Sequence, residues 1–280
     1  NSDCKLEKLK GSPSCIGITT NWVGNVKDSL KCCELIKCNC AQICSNNIYT
    51  SGNKIKEKED LKKYLEEKKI CMAVHAPLWI NLANSDKSRS IKILQQQLND
   101  IRDLSALLNF HIGTNGTIGK VAEVINNMQI KIGRNENYPI QLVAEVSAGA
   151  GTQLGSNFDE LRKLYEAVDK DRLGLCIDTQ HLFGSGMCEF NGHESVVKLF
   201  DNIQECTKNG IKLIHLNDSK VDFKSKVDRH AGIGTGKIWS KDDESLKYLI
   251  NRIAEHQIDT VLETGSSQLK DLKRIQGYFF

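Results

Sequence analysis

The sequence predicts an α/β protein folded as a single (β/α)8 TIM barrel. Three observations predict it: eight short apolar runs, longer amphipathic stretches between them, and 280 residues to hold the set. Apolar strands alternating with helical patterns imply βαβ units and a parallel sheet. Eight such units in a chain of this length close into a barrel. A doubly wound open sheet is the alternative, but it seldom reaches eight strands at such even spacing.

The expected strands are Cys15–Thr19, Ala41–Ser45, Cys71–His75, Leu107–His111, Gln141–Glu145, Leu173–Asp178, Lys212–Asn217 and Thr260–Glu263. Helical patterns lie between them: Lys56–Lys69, Ser88–Leu104, Asn157–Val168, Glu194–Asn209 and Ser245–His256. The first of these carries Glu–Lys pairs four residues apart, which support an exposed helix face. Polar, basic Asn1–Gly11 reads as a frayed arm, and residues 12–280 as one barrel domain without an internal boundary. Gly133–Tyr138 and Asp222–Ser240 are the clearest loops. The second is long and Gly-rich, which in a compact domain usually means function.

Hydrophobic residues at 40% and charged residues at 26% suit a soluble globular chain with a sizeable core, and no apolar run reaches the length of a membrane span. No signal peptide is visible, so an intracellular setting, cytoplasm or nucleus, is expected. The chain starts at Asn1 rather than Met, which leaves room for a removed leader. A net charge of +3 neither demands nor forbids a nucleic-acid partner. The eleven cysteines are odd in number and seven precede residue 45, which argues against a secreted disulfide framework. Cys38-Asn39-Cys40 admits a metal or redox reading, but buried free thiols in a reducing compartment account for it better.

The functional signal lies in the last residue or two of the strands: His75, His111, Glu145, Asp178, His215 and Glu263. Successive gaps are 36, 34, 33, 37 and 48 residues, about one βα unit each, the last spanning the Gly-rich loop. In a barrel all six converge on the C-terminal face, where active sites of this fold sit. Singly, such a His is a satisfied polar residue and such a carboxylate caps the next helix. Together, three imidazoles and three carboxylates in one mouth need a partner, and a divalent metal ion is the natural one. His181, three residues after Asp178, and the Asp228-Arg229-His230 triplet in the loop raise the set to nine ligands. Nine N/O ligands suit two or three ions that share bridging carboxylates. No cysteine falls in this set, which marks it as catalytic rather than thiolate-rich and structural.

The motifs His75-Ala-Pro-Leu-Trp-Ile-Asn-Leu-Ala83, Asn109-Phe-His111-Ile-Gly113, Glu145-Val-Ser-Ala-Gly-Ala-Gly151, Cys176-Ile-Asp-Thr-Gln-His181, His215-Leu-Asn-Asp-Ser-Lys220, Asp228-Arg-His230 and Leu262-Glu263-Thr264 follow one another through the chain. In that order they resemble the signatures of the endonuclease IV family of apurinic/apyrimidinic endonucleases, from about Cys15 to the end. The resemblance implies three zinc ions on a TIM barrel. His75, His111 and Glu145 would hold the first, and Glu145, Asp178, His215 and Glu263 the second. The third would take His181, Asp228 and His230. Glu145, the bridging ligand, and Glu263 are the expected catalytic carboxylates. The implied activity is hydrolysis of the phosphodiester 5′ to an abasic site in double-stranded DNA, with trimming of blocked 3′ ends in many members. Two ions can share and deprotonate a water while a third stabilises the leaving oxygen, so no side-chain nucleophile is needed.

The chain departs from the family where DNA would be read. Val146-Ser147 replaces the usual Asn-Thr after Glu145, Thr19 stands where a His is typical, Leu78 replaces a Tyr, and Asn46–Thr50 lacks the Arg that bacterial members insert. The expected substrate contacts are therefore Tyr49, Leu78, Trp79 and Asn81, with Lys220 and Arg229 from the basic stretch Ser219–Lys241. Leu78, helped by Tyr49 or Trp79, is expected to fill the gap left by the missing base. The enzyme is expected to act as a monomer. Two other readings compete: a metal-dependent sugar isomerase or epimerase of the xylose-isomerase-like barrels, and a non-catalytic DNA-binding protein with a degenerate site.

Overall fold

The computed structural model describes residues 16–21, 25–44, 55, 57–84, 88–104, 106–130 and 140–278. In chain order the strands are Ile16–Asn21 (β1), Cys40–Cys44 (β2), Cys71–His75 (β3), Ala106–His111 (β4), Leu142–Glu145 (β5), Gly174–Asp178 (β6), Ile211–His215 (β7), Asp218–Ser219 (β8), His230–Ala231 (β9) and Asp259–Leu262 (β10). Eight of them close a parallel barrel in the order β1-β10-β7-β6-β5-β4-β3-β2. Closure is made by β1, whose Ile18 lies opposite both Ala41 of β2 and Leu262 of β10. The remaining two, β8 and β9, form an antiparallel ribbon after β7 that the sequence did not reveal.

The outer layer holds Val26–Ile36 (α1), Lys58–Lys68 (α2), Ser88–Ile101 (α3), Ile118–Asn127 (α4), Phe158–Ala167 (α5), Thr179–Ser185 (α6), His193–Cys206 (α7), Glu244–His256 (α8) and Gln268–Gln276 (α9). Local chemistry starts several of them. Asn157 caps α5 by accepting from Glu160 N at 2.9 Å, and the Glu160 carboxylate accepts in return from Gly155 N and Ser156 N. Such reciprocal caps satisfy donors that the first turn leaves orphaned. No described helix is long and apolar enough to cross a membrane.

Cys71–His75 has the expected limits, the other strands differ from the sequence reading by one or two residues, and at β7 and β10 the polar ends explain why. β7 stops at His215 because Asn217 N turns away to the Thr179 hydroxyl at 2.8 Å. β10 stops at Leu262, so Glu263 stands one residue past the ladder. The arm Asn1–Gly11, the loop Gly133–Tyr138 and Tyr49 lie outside the described residues.

Two cores result. The larger lies between strands and helices and includes Leu30, Ile43, Leu94, Phe110, Leu161 and Trp239. The smaller fills the barrel with compact side chains: Cys40, Cys71, Ala73, Leu107, Val143, Cys176, Leu213 and Val261. No disulfide links the described cysteines, and the Cys38 thiol donates to Cys40 O within the turn into β2. The interior is tightest beside β1. A Cβ on Gly17 would stand 1.7 Å from Cys40 O, so only glycine lets β1 and β2 approach. Gly17→Ala is therefore expected to cost about 3 kcal/mol or more, at the upper end of overpacking effects. Urea unfolding of the metal-free protein checks this, and a loss under about 1 kcal/mol would contradict it.

Candidate metal centre

The six strand-end residues converge at the C-terminal mouth of the barrel, and His181, Asp228 and His230 join them. Ligand atoms fall into groups close enough to share an ion: His75, His111 and Glu145; Glu145, Asp178, His215 and Glu263; and Asp178, His181 and His230. Asp228 reaches the last group with both oxygens, Oδ2 at 3.2 Å from His181 Nε2 and Oδ1 at 3.1 Å from His230 Nε2. Glu145 sits centrally and divides its carboxylate. Its Oε2 faces His75 Nε2 at 3.3 Å and His111 Nε2 at 3.4 Å, while Oε1 faces His215 Nδ1 at 3.2 Å and His181 Nδ1 at 3.3 Å.

Several local devices aim these groups. Asp178 caps α6, accepting from His181 N through Oδ1 at 3.0 Å, and turns Oδ2 toward His215 and His230. The capping role and the ligand geometry thus use different oxygens of one side chain. His75 Nδ1 lies 2.7 Å from Ala76 O, and His181 Nδ1 lies 2.9 Å from Val146 O. Each contact leaves Nε2 pointing into the mouth. Replacing the family's Asn-Thr by Val146-Ser147 does not disturb this, because the contact uses a backbone carbonyl.

Sequence reasoning missed the amides beneath the ligands. Asn109 Nδ2 donates to Glu145 Oε2 at 2.6 Å, Asn217 Nδ2 to Asp178 Oδ2 at 2.7 Å, and Gln42 Nε2 to Glu263 Oε1 at 2.6 Å. For Asn109 and Gln42, a lone amide within a largely apolar strand run was the available signal. The Cys176 thiol lies in a group with Glu145 and His215, because β6 turns it inward two residues before Asp178. Asp218 is a further buried organiser. It accepts from Ser219 N and Ile238 N on Oδ1 and from Gly234 N and Gly236 N on Oδ2, all within 3.1 Å, which ties the loop after His230 to β8.

The expected substrate contacts are more scattered. Leu78 is 63% exposed and Trp79 41% exposed on the loop after His75, with the Arg89 guanidinium 4.5 Å above the Trp79 ring. Asn81 faces inward instead. Its Nδ2 donates to Thr114 O and its Oδ1 accepts from Ala83 N and Thr114 N, so it ties two loops together rather than offering a free amide. Lys220 and Arg229 are exposed beside the two strands of the ribbon, and Lys220 N donates to Arg229 O at 2.9 Å.

The electrostatics call for a cation. The mouth gathers four carboxylates, and every ion pair they make among the described residues is to an imidazole. Burial pushes the Glu145 carboxyl up, but His215 and His111 outweigh it and hold the group well below the usual carboxylate range. Burial lowers His215 and His181, yet Cys176, Glu263 and Glu145 raise the first and Asp178, Asp228 and Glu145 the second, holding both well above the usual imidazole value. His230 is likewise lowered by burial and raised more by Asp178 and Asp228, to about 9. The nitrogens His181 Nε2 and His230 Nε2 are buried without a hydrogen bond, though carboxylates stand 3.1–3.5 Å away. That is the geometry of ligands arranged around a shared centre, not of donors matched to acceptors. The residues present therefore fit divalent ions.

Comparison with known proteins bears on the family and the fold. A family model described as xylose isomerase-like TIM barrel matches residues 38–262. A Plasmodium falciparum protein named apurinic-apyrimidinic endonuclease 1 is 36% identical over 226 residues, 77% of this chain and 36% of that protein. The chain thus spans little more than a third of that relative's length. A probable endonuclease 4 of Methanosphaera stadtmanae is 36% identical over 197 residues, 68% of this chain and 69% of that protein. Endonuclease IV of Thermus thermophilus shares the fold with a TM-score of 0.78 at 21% identity, over 94% of this chain and 98% of that one.

The raised imidazoles set the pH dependence of metal uptake. Protons on His181, His215 and His230 stabilise the metal-free fold below the ordinary imidazole value of 6.5, and for His230 that contribution is lost as pH rises through about 9. A metal ion must displace these protons, so affinity should rise with pH across this window. Adding Zn2+ to metal-free protein near neutral pH in weak buffer should release protons, read with an indicator dye. Uptake without proton release would contradict the assignment.

Proposed function

The chain belongs to the endonuclease IV family of xylose isomerase-like TIM barrels, and from that premise we propose that it is a zinc-dependent DNA-repair endonuclease acting at abasic sites. It hydrolyses the phosphodiester 5′ to the lesion and leaves a 3′-hydroxyl and a 5′-deoxyribose phosphate. The observation that carries this reading is the convergence of nine N/O ligands with orphaned, inward-facing imidazole nitrogens.

His75, His111 and Glu145 would hold one ion, Glu145, Asp178, His215 and Glu263 a second, and His181, Asp228 and His230 a third. Ions held there supply an acidified water as nucleophile and neutralise charge on the phosphodiester and its leaving oxygen. The protein's own part is to hold the ligands. Glu145 presents one oxygen to each of two groups, which fixes their separation. Asn109, Asn217 and Gln42 keep the carboxylates aimed by occupying their outward lone pairs. Asp228 and His230, on the ribbon loop, bring the third group over the mouth beside exposed Lys220 and Arg229, which would grip phosphates of double-stranded DNA. The enzyme acts as a monomer within the cell. Sugar isomerase or epimerase chemistry on the same barrel would need one or two ions, and the group His181, Asp228 and His230 would then have no task.

One incubation tests the reading. A duplex with a single abasic analogue should be cut 5′ to the lesion, and chelation should abolish cutting. Glu145→Gln should lower the rate by about 100-fold or more, as when a group organising reacting charge is removed, while thermal unfolding stays cooperative. His193→Ala and His256→Ala, outside the site, should be nearly silent. Leu78→Ala should weaken binding to the abasic duplex by about 1–3 kcal/mol with little change for intact duplex. Absence of cutting by fully loaded protein would overturn the endonuclease reading.

A further inference from the structure

Beneath the ligands, β2 carries one fully buried polar side chain, Gln42. Its Nε2 lies 2.6 Å from Glu263 Oε1 and 3.3 Å from Thr19 Oγ1, and its Oε1 lies 2.8 Å from His215 Nε2. With Glu263 serving as an ion ligand, one assignment of protons satisfies all three contacts. A carboxylate that holds a cation only accepts, so the NH2 end of the amide must face it. The amide oxygen is then turned toward His215, and because it too only accepts, His215 Nε2 must carry hydrogen. The remaining nitrogen, Nδ1, faces Glu145 Oε1 at 3.2 Å, Glu263 Oε2 at 3.2 Å and Asp178 Oδ2 at 3.8 Å.

From this geometry we infer that Gln42 is a positioning residue of the metal centre: it commits His215 to ligation through Nδ1 and turns Glu263 Oε2 to the same ion. The inference rests on the metal reading of the site. Gln42 reaches two members of one ligand group at once from β2, inside the barrel. Thr19 completes the arrangement by taking the second amide hydrogen. A buried amide that merely filled space would be replaceable by an apolar side chain of equal size without consequence for metal.

The test compares wild type with Gln42→Met, which keeps the volume and loses all three hydrogen bonds, and Gln42→Glu, which keeps an acceptor for His215 but sets a like charge against Glu263. Each protein is loaded with Zn2+, freed of excess metal and challenged with a graded chromophoric chelator. Thermal unfolding of the metal-free forms reports the fold. Gln42→Met should unfold cooperatively yet release one ion at about 10–100-fold lower chelator concentration, the usual scale for losing a partner behind a ligand. Gln42→Glu should also release that ion early. Long-range 1H–15N spectra of the loaded wild type should show His215 protonated at Nε2. Wild-type retention of every ion by Gln42→Met overturns the inference. If that variant does not fold, wild-type retention by Gln42→Glu overturns it, as does a loaded wild type protonated at Nδ1. A wild type that binds no Zn2+ defeats the metal reading and the inference together. A wild type and variants that bind Zn2+ alike defeat the inference alone.

Discussion

The mouth of this barrel is organised around one buried carboxylate. Glu145 is 1% exposed, and no lysine or arginine stands among its ion-pair partners in the described residues. An isolated ionised carboxylate in such a place would be costly, and ordinarily it would take up a proton instead. Here four imidazoles from four segments surround it and hold it ionised. The remaining acids crowd the same space, and His181, His215 and His230 are held above the usual imidazole value while burial lowers His111. Like-charged ligands can lie this close only if a cation balances them, and that requirement dictates what the neighbouring residues do.

Barrel geometry makes the arrangement reachable. Parallel strands end on one face, so a single polar residue at each end is delivered to a common point without any long-range loop. The consequence is a polar layer inside the barrel, and the amides meet it. Gln42, Asn109 and Asn217 each donate to a ligand carboxylate, while the compact apolar side chains lie in the layer below. The ribbon brings the Asp228–His230 segment over the mouth, and Asp218 collects four backbone N–H groups to fix the loop behind it. Gly236 must be glycine there, since a Cβ would stand 2.5 Å from Asp218 Oδ1. Barrel strands therefore place five of the nine residues, Glu263 follows β10 by one, helix α6 places His181, and the ribbon segment places Asp228 and His230.

Much of this was legible in the sequence because it depends on period and position. Strand-end residues such as His111 and Glu145 could be found from spacing alone, since each βα unit repeats at a similar length. The six strand-end residues stand together at the mouth, and His181, Asp228 and His230 lie beside them. What escaped notice depends on direction rather than spacing. Gln42 and Asn109 read as stray polar residues in strands until the barrel turns them inward. The Cys176 thiol stands near Glu145 and His215 for the same reason. Asn81 looked like a surface contact within its motif, yet both ends of its amide are engaged between loops. The β8–β9 ribbon is two residues per strand, too short to leave a periodic trace.

If nine side chains are arranged for ions shared between them, with Glu145 as the common ligand, the ions can be counted. Elemental analysis of protein purified without chelator, combined with native mass measurement, tests this most directly. Three zinc ions per folded chain are expected, falling together with the loss of Glu145. A single ion per chain, or none after Zn2+ has been supplied at neutral pH, would contradict it.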